Sequence, residues 1–287
     1  MGKGYLDSYR LLVPINTSQD TQLWKAEDER RNRYVAIKTL TDAQLKNRKA
    51  ASMIRWEYTI GAELNHPNVI KMLDFGVDDS RPYLVMEWFP HGNLKALIRQ
   101  GVENYMPRVT QLAVSITEAL AYFNSEGWVH RDVKPDNFMV DEENNSVKLI
   151  DFAIAIHAQG FWARLFGGNS KVQGTRSYMS PEQIRGQALD QRADIYSLGC
   201  LLFELATGRL PFTGSNPNEI LHKHLNVAPP SLESVNSNVT SEFSQLIRQA
   251  MAKKATDRPK TTAEFLAILK HTRIYKRLPF DSPRSED

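Results

Sequence analysis

The sequence lacks several features that would place it in a special class of protein. It has a single cysteine among 287 residues, so it cannot form an internal disulfide, and the apolar run around Cys200 predicts a buried structural thiol. It has no run of eighteen apolar residues, which predicts no span across a bilayer. The first residues carry no apolar h-region, and Leu6 stands where a myristoylation signal has Ser or Thr, so no targeting signal is predicted.

An excess of one charge is also missing. The 36 Lys and Arg residues against 33 Asp and Glu give a net charge of +3 without a block of like charge, so neither nucleic-acid nor membrane binding is predicted. The sequence does have a 41% hydrophobic content, in a chain long enough for one large core or for two lobes that share a cleft. An unpaired cysteine favours a reducing compartment. The predicted location is therefore the cytoplasm, for this chain alone or as the cytoplasmic domain of a larger protein.

The apolar pattern changes along the chain. Five short runs rich in apolar and β-branched residues predict a five-stranded antiparallel sheet: 9–15, 21–27, 34–39, 72–77 and 81–87. Residues 42–63 predict a helix between the third and fourth strands. From Val109 to Phe123 the apolar residues recur at spacings of three and four, which predicts a helix with one buried face. The predicted fold class is α+β.

A dense polar stretch follows the pair Trp128-Val129. The eight residues His130-Arg131-Asp132-Val133-Lys134-Pro135-Asp136-Asn137 match the pattern H-R-D-x-x-x-x-N. On this stretch the chain resembles the eukaryotic-type, or Hanks-type, protein serine/threonine kinases, and residues 178–183, 194–208 and 210–212 look most like bacterial members. The resemblance implies a small lobe with an antiparallel sheet and the helix called αC, a larger helical lobe, and an ATP cleft between them.

The resemblance also implies a reaction. Asp132 would accept the proton of a substrate hydroxyl, Asn137 would hold a metal ion, and Lys134 would offset charge near the γ-phosphate. The implied donor is ATP with Mg²⁺, or with Mn²⁺ in its place, and the implied acceptors are Ser and Thr hydroxyls of proteins, including the kinase itself. A homodimer is left open, with nothing in the sequence to support it.

Upstream, Val35-Ala36-Ile37-Lys38 matches the V-A-I-K strand of the same family. A lone lysine at the end of an apolar strand is ordinarily a solvated edge residue, but here the resemblance implies that Lys38 pairs the phosphates of ATP. A buried ammonium needs a carboxylate partner. Glu57 is the predicted partner at the family's spacing, and Glu63 is the competing candidate.

The family's remaining nucleotide contacts can be assigned by position. Asp151, in Asp151-Phe152-Ala153, matches the Asp of D-F-G and would bind the metal ion. Residues 87–93 correspond to the hinge, preceded by Met86 at the gatekeeper position. The residues implied to contact the nucleotide are Ile15, Leu23, Ala36, Lys38, Met86, Glu87, Phe89, Met139 and Asp151.

Residues 154–178 correspond to the activation loop. Thr175 resembles the threonine that bridges Asp132 and Lys134 in Ser/Thr kinases. Arg131 is implied to meet a phosphate on this loop; Ser170 is the predicted regulatory site, and Ser177 is a second hydroxyl of this kind. The apolar segment 161–166 is predicted to pack on its own lobe, with a docking site as the alternative.

Two scaffold contacts follow from the same resemblance. Ser180-Pro181-Glu182 stands for the family's A-P-E, and Glu182 is predicted to form a structural ion pair with Arg258. Asp194 is predicted to hold the backbone of the catalytic loop from the start of a buried helix.

Three departures from the family pattern affect the expected activity. Asn16, Ser18 and Thr21 occupy the glycine places of G-x-G-x-x-G, where a left-handed backbone would cost roughly 1–2 kcal/mol for a residue with a Cβ. Ala153 replaces the glycine of D-F-G, which predicts restricted rotation. Gly61 replaces a large apolar residue four positions after Glu57. This predicts either an unusual helix path or a local void, and Trp56 or Tyr58 would fill the void.

The predicted domain is a kinase domain at 1–273, with an N-lobe at 9–87, a hinge at 87–93 and a C-lobe at 94–273. Residues 274–287 are predicted to be a polar tail or linker. The predicted function is an ATP-dependent protein serine/threonine kinase. The alternative is a pseudokinase, that is, a nucleotide-binding or scaffolding module. A small-molecule phosphotransferase is disfavoured by residues 174–182 and Arg258.

Overall fold

The computed structural model of the chain describes residues 4–158 and 176–278. These residues form two compact units. The first comprises the described residues up to Pro90 together with Ile150–Ile154, and the second comprises His91–Leu149 together with the described residues from Ala155 onward. The predicted residues Ser170 and Thr175, and the apolar segment 161–166, lie outside the described residues.

The first unit is built on an antiparallel sheet. Among the described residues the sheet has six strands in the order β1-β2-β3-β4-β6-β5. The strands are β1 (Tyr5–Leu6), β2 (Tyr9–Thr17), β3 (Thr21–Asp28), β4 (Arg33–Leu40), β5 (Met72–Asp78) and β6 (Arg81–Glu87). The prediction of five strands was one short, because β1 has only two residues. Leu6 of β1 is buried and joins Tyr9 and Val85 in the core of the unit.

One helix packs on this sheet. Helix α1 (Arg48–Gly61) follows a short 3-10 turn (Asp42–Gln44), so the predicted helix at 42–63 is shorter than expected. Asn47 caps it, since its side-chain oxygen accepts hydrogen bonds from the backbone N–H groups of Lys49 and Ala50. The buried positions fall on one face and are Ile54, Glu57, Ile60 and Gly61.

The packing at Gly61 differs from the prediction. The space that a side chain at Gly61 would occupy is filled by the side chain of Met72 from β5, so there is no void at this point. Trp56 does not fill it, because its side chain points outward and is 40% exposed. Tyr58 does not fill it either, since its ring packs against the ring of Phe75 at 5.7 Å between centroids. The side chain of Met72 on β5 therefore occupies the place of a side chain at position 61 of α1.

The second unit is mainly helical. Its α-helices are α2 (Leu94–Ile98), α3 (Val102–Tyr105), α4 (Val109–Ser125), α5 (Pro181–Ile184), α6 (Gln191–Thr207), α7 (Pro217–Asn226), α8 (Leu232–Val235), α9 (Ser241–Ala250) and α10 (Thr262–Lys270). Helix α6 is buried from Ala193 to Thr207, which confirms the predicted buried helix. Within residues 4–158 and 176–278, no helix has the length and apolar character needed to cross a membrane.

Two small sheets complete the second unit. Strands β7 (Gly92–Asn93), β9 (Phe138–Asp141) and β10 (Ser146–Leu149) form one, in which β9 and β10 pair as an antiparallel hairpin. Strands β8 (Trp128–Val129) and β11 (Ile156–His157) form the other. Both β8 and β9 flank residues 130–137, so the polar stretch is held between two paired strands.

The packed chain extends past the predicted boundary at residue 273. Ile274 and Tyr275 are almost completely buried, and the Tyr275 hydroxyl donates a hydrogen bond to the carbonyl of Ala206 at 2.9 Å. The backbone N–H of Thr240 donates to the carbonyl of Ile274 at the same distance. In the sequence these two apolar residues stand between polar ones and form no apolar pattern, so the predicted tail at 274–287 begins too early.

A buried histidine predicts how the stability of this fold depends on pH. His224 of α7 is completely buried, with Nδ1 2.9 Å from the Tyr196 hydroxyl. Burial, with a smaller contribution from the charge of Lys253, lowers the pKa of His224 to about 4. In the unfolded chain a histidine titrates near 6.5, so the unfolded state takes up a proton first as the pH falls. Stability from this residue is therefore lost between about pH 6.5 and pH 4.

We expect His224→Gln to remove this part of the acid sensitivity. Between pH 7.5 and pH 5 the free energy of unfolding should fall by about 2 kcal/mol less in His224→Gln than in the wild type. Urea unfolding at the two pH values measures the difference. His222→Gln is the matched control, because His222 lies on the same helix and is exposed. Equal pH sensitivity in the wild type and His224→Gln would contradict the assignment.

Candidate active site

Three charged side chains that were singled out from the sequence meet in the first unit. Lys38 lies on the central strand β4, and its Nζ is 2.7 Å from Oε2 of Glu57 on α1. The same Nζ is 3.2 Å from Oδ1 of Asp151. The chain thus brings together residues that are up to 113 positions apart in sequence. Glu57 is the partner of Lys38 rather than Glu63, because Glu57 is on the buried face of α1 and Glu63 follows its end.

The charges in this cluster stabilise one another. Burial would lower the pKa of Lys38, but the carboxylates of Asp151 and Glu57 outweigh it and raise the pKa above its usual value. Burial raises the pKa of Glu57, and the neighbouring Lys38 charge opposes this effect. Lys38 is therefore a fixed cation at neutral pH. Two carboxylates against one ammonium give the cluster an excess of negative charge, which suits an additional cation.

Asp151 reaches the cluster through an unusual backbone conformation. Its φ is +66°, in the left-handed region, which Asp tolerates better than most residues. Phe152 is fully buried, and its backbone N–H donates a hydrogen bond to Glu57. Ala153 does not have a positive φ. In this conformation, the left-handed residue of the segment is therefore Asp151, and Ala153 fits without strain.

The hairpin between β2 and β3 replaces the glycine loop of the family pattern. Asn16, Ser18 and Thr21 all lack positive φ, so the strain expected at these positions is not present. The Ser18 hydroxyl accepts hydrogen bonds from the backbone N–H groups of Thr21 at 3.0 Å and Asp20 at 3.3 Å. The N–H of Thr41 holds the carbonyl of Asp20 at 3.0 Å. The N–H groups of Asp20 and Thr21 at the tip therefore donate to an acceptor within the hairpin and are not open to an anion.

The residues implied to contact the nucleotide fall mostly in the first unit. Ala36 on β4 faces Met86 on β6 in the sheet register, and both are buried. Leu23 of β3 is opposite Lys38. The other predicted contacts of this unit are Ile15 on β2, which is 46% exposed, and Glu87 and Phe89, which are half-buried. Met139 is on β9 of the second unit and is also half-buried.

The second unit places the catalytic-loop residues in one hydrogen-bonded group. Lys134 Nζ lies 2.6 Å from Oδ2 of Asp132. The Asn137 amide nitrogen donates to the Asp132 carbonyl at 2.8 Å and to its Oδ2 at 3.2 Å. Because that nitrogen makes both bonds, the amide oxygen is the atom that could ligate a cation. Amide and carboxylate oxygens are ligands that Mg²⁺ accepts, so Asn137 and Asp151 each fit such an ion by donor type.

Asp194 holds the backbone of this loop. Its carboxylate is completely buried near the start of α6 and accepts hydrogen bonds from the N–H groups of His130 at 2.8 Å and Arg131 at 2.9 Å. The predicted contact between Asp194 and the loop is therefore confirmed. Asn124 of α4 donates a third hydrogen bond to Asp194, also at 2.9 Å. Burial raises the pKa of Asp194, while His130, the backbone N–H groups and Asn124 lower it.

The structure describes two of the residues predicted to be regulatory, Ser177 and Arg131. Ser177 lies in the 3-10 turn Arg176–Tyr178 and is half-buried. Arg131 is half-buried too, and burial lowers its pKa against the effect of Asp194. Sequence reasoning missed Asn124 and Gln183, which contact Asp194 and the loop backbone. Asn124 carried a usable signal, since it is a polar residue on the apolar face of a helix.

The family profile described as "Protein kinase domain" matches residues 19–272 of the chain. The chain belongs to the protein kinase family. Membership implies use of ATP, a divalent metal ion and protein substrates. The kinase fold also accounts for the order of the two units, with the sheet first and the helices after it.

Similar proteins carry serine/threonine kinase names. A probable serine/threonine-protein kinase of Clostridium perfringens is 32% identical over 288 residues, covering 100% of the chain and 41% of the relative. One of Streptomyces coelicolor is 34% identical over 249 residues, covering 85% and 37%. Serine/threonine-protein kinase PknB of Mycobacterium tuberculosis is 31% identical over 287 residues, covering 97% and 44%. The chain thus spans about two fifths of these relatives.

The Ser18 hydroxyl occupies the N–H groups of Asp20 and Thr21, so we expect weaker ATP binding than a hairpin with open N–H groups would give. Ser18→Ala removes the hydroxyl that occupies the N–H groups of Asp20 and Thr21, so they become available to phosphate oxygens. We expect the Kd for Mg-ATP to fall roughly 3- to 10-fold, since one or two net hydrogen bonds contribute about 0.5–1.5 kcal/mol each. Isothermal titration calorimetry measures the change, and Ser52→Ala, on an exposed face of α1, is the control. An unchanged or larger Kd for Ser18→Ala would reject the idea.

Proposed function

We propose that this kinase transfers the γ-phosphate of Mg-ATP to serine and threonine hydroxyls of proteins, including its own. The observation that carries the proposal is the position of Lys38 between Glu57 and Asp151, 2.7 and 3.2 Å from their carboxylate oxygens. A partly buried cation held by two acids is not required by a simple scaffold, because a well-packed apolar group is often at least as stable in such a place. The names of the similar bacterial proteins support the same activity.

The first unit supplies the groups that position the phosphates. Lys38 would bind the α- and β-phosphate oxygens, and Glu57 keeps its ammonium charged and aimed. Asp151 presents a carboxylate that is 40% exposed and would hold Mg²⁺. The ion, when bound, neutralises charge on the phosphates. Phosphoryl transfer needs little covalent help from the protein, so positioning and charge stabilisation account for most of the rate.

The second unit supplies the groups that act on the acceptor. Asp132 would accept the proton of the substrate hydroxyl, since its carboxylate is only partly buried and is held by Lys134 and Asn137. Lys134 would offset negative charge on the transferred phosphate. Asn137 would provide a metal ligand through its amide oxygen. Lys134, together with Thr175 of the activation loop, favours Ser and Thr over Tyr as acceptors.

The proposal includes the cellular setting and the regulation. Because ATP is the donor, we place the reaction in the cytoplasm, for this chain alone or for a larger protein that contains it. Phosphorylation of Ser170 or Ser177, with Arg131 as the phosphate contact, is the proposed control. The rival idea of a scaffold without catalysis is not supported by the similar proteins, which are named as kinases.

The test is phosphate transfer by the purified protein. The protein is incubated with ATP and MgCl₂, with and without a generic Ser/Thr substrate such as myelin basic protein, and intact mass spectrometry counts the added phosphates. We expect added mass on the kinase, on the substrate or on both, and none after chelation of the metal. Asp132→Asn protein, purified in the same way, is the control for a contaminating kinase. No added phosphate on either protein would reject the function.

A further inference from the structure

The side chain of Gln183 in α5 bonds to the start of its own helix and to a distant segment. The side-chain Oε1 of Gln183 accepts from the backbone N–H of Ser180 at 3.1 Å. The backbone N–H of Gln183 donates to the Ser180 hydroxyl at 3.3 Å. These two bonds form a capping box at the start of α5. Its Nε2 donates to the carbonyl of Arg131 at 2.8 Å, across 52 positions of sequence. One side-chain amide therefore uses its oxygen for the helix and its nitrogen for the catalytic loop.

The carbonyl that Gln183 holds belongs to the peptide that joins Arg131 to Asp132. A peptide unit is planar, so its carbonyl and the N–H of Asp132 rotate together. The N–H of Asp132 donates to Nδ1 of His130 at 3.3 Å, which holds the other edge of the same plane. Arg131 has φ of +69°, in the left-handed region, where a residue with a Cβ is strained. This peptide thus follows a residue in the left-handed region and has a hydrogen bond at each of its two edges.

We infer that Gln183 is a positioning residue that fixes the peptide plane before Asp132 and so the direction of the Asp132 carboxylate. The inference rests on the proposed kinase function, with Asp132 as the base. Ser180 takes part because it orients Gln183. The alanine of the family's A-P-E has no hydroxyl for such a cap, so the cap depends on the serine that this chain has instead. The start of α5 is in this way coupled to the catalytic loop.

The chemistry of glutamine allows the two bonds to be separated. Gln183→Glu keeps an oxygen that can accept from the Ser180 N–H, but it replaces the donor nitrogen by a carboxylate oxygen that faces the Arg131 carbonyl. Two acceptors repel each other at this distance, so the peptide should turn away. Gln183→Met keeps the length of the side chain and removes both bonds. Gln187→Glu introduces the same charge at an exposed position four residues later and serves as the control.

Steady-state kinetics with a peptide substrate give the first readout. For Gln183→Glu and Gln183→Met we expect kcat to fall about tenfold or more, while KM for ATP changes less than about twofold, since the nucleotide groups of the first unit are untouched. A structural defect alone would instead lower the melting temperature and the active fraction, leaving kcat per active site unchanged. Gln187→Glu should keep the wild-type kcat. A kcat within twofold of the wild type for Gln183→Glu would overturn the inference.

A second readout does not depend on activity. The amide exchange rate of Asp132, measured by NMR, should rise at least about tenfold in Gln183→Glu, and the exchange of α6 amides should remain as in the wild type. Unchanged exchange at Asp132 would overturn the inference even if kcat fell. If the wild type transferred no phosphate, the proposed function would fail, and the exchange rates alone would still decide whether Gln183 holds this peptide.

Discussion

Asp132→Asn is expected to reduce phosphate transfer by about 10³-fold, with a range of 10²- to 10⁴-fold for loss of a general base. Asn has nearly the same size and can still meet Lys134 and Asn137, which lie 2.6 and 3.2 Å from Oδ2 of Asp132. It cannot accept a proton at neutral pH. The loss should therefore appear in kcat, measured by transfer of labelled phosphate, with little change in the Kd for Mg-ATP.

The loop provides its own matched control. Asp136 is an exposed acid four residues after Asp132 and has no place in the proposed chemistry. Asp136→Asn changes the net charge by the same amount and should retain nearly full activity. If Asp132→Asn kept more than about a tenth of the wild-type kcat, Asp132 would not be the base.

Arg258→Met is expected to lower the free energy of unfolding by about 3–5 kcal/mol. The Arg258 side chain is completely buried and forms a bidentate pair with Glu182, at 2.6 and 3.0 Å, which confirms the predicted ion pair. It also donates to the backbone carbonyl of Ala252 at 2.8 Å and to that of Arg192 at 2.7 Å. A third, longer bond of 3.4 Å goes to the carbonyl of Lys253, so loss of the Arg258 side chain leaves a buried carboxylate and three carbonyls without this donor.

Urea unfolding of the wild type, the two single variants and the double variant measures the coupling free energy between Arg258 and Glu182. Arg258→Met and Glu182→Leu should each be strongly destabilised, because each leaves one buried partner alone. The double variant should lose clearly less than the two single losses added together, since no buried charge then remains unpaired. Arg248→Met, at an exposed position of α9, controls for the substitution itself. Additive losses in the double variant would contradict the buried-pair explanation.

The sequence could predict the residues that short motifs carry. Lys38, Asp132, Asn137 and Asp151 stand at fixed offsets in recognisable strings, and the family's spacing pointed to Glu57. The apolar runs of the strands and the spacing of α4 were also legible, because these elements bury apolar side chains. A two-residue strand such as Tyr5–Leu6 is too short to show a period, so the sixth strand was missed.

The sequence could not predict which side chains would replace the missing family residues. The hydroxyl of Ser18 closes its hairpin through bonds to residues two and three positions later, and such local bonding competes with other turns that the same residues could form. Gln183 reaches Arg131 across 52 positions, a contact that only the tertiary fold creates. At Gly61 a void was expected because the compensating residue, Met72, lies on another element.

The packing of Met72 into the place of a side chain at Gly61 ties the two positions together in evolution. A side chain at residue 61 would require Met72 to move, because a Cβ there would overlap the Cγ of Met72. Shortening Met72 first would leave a cavity beside Gly61 and cost about 2–5 kcal/mol. Either order passes through a less stable protein, so descendants should keep or exchange the glycine and the methionine as a pair.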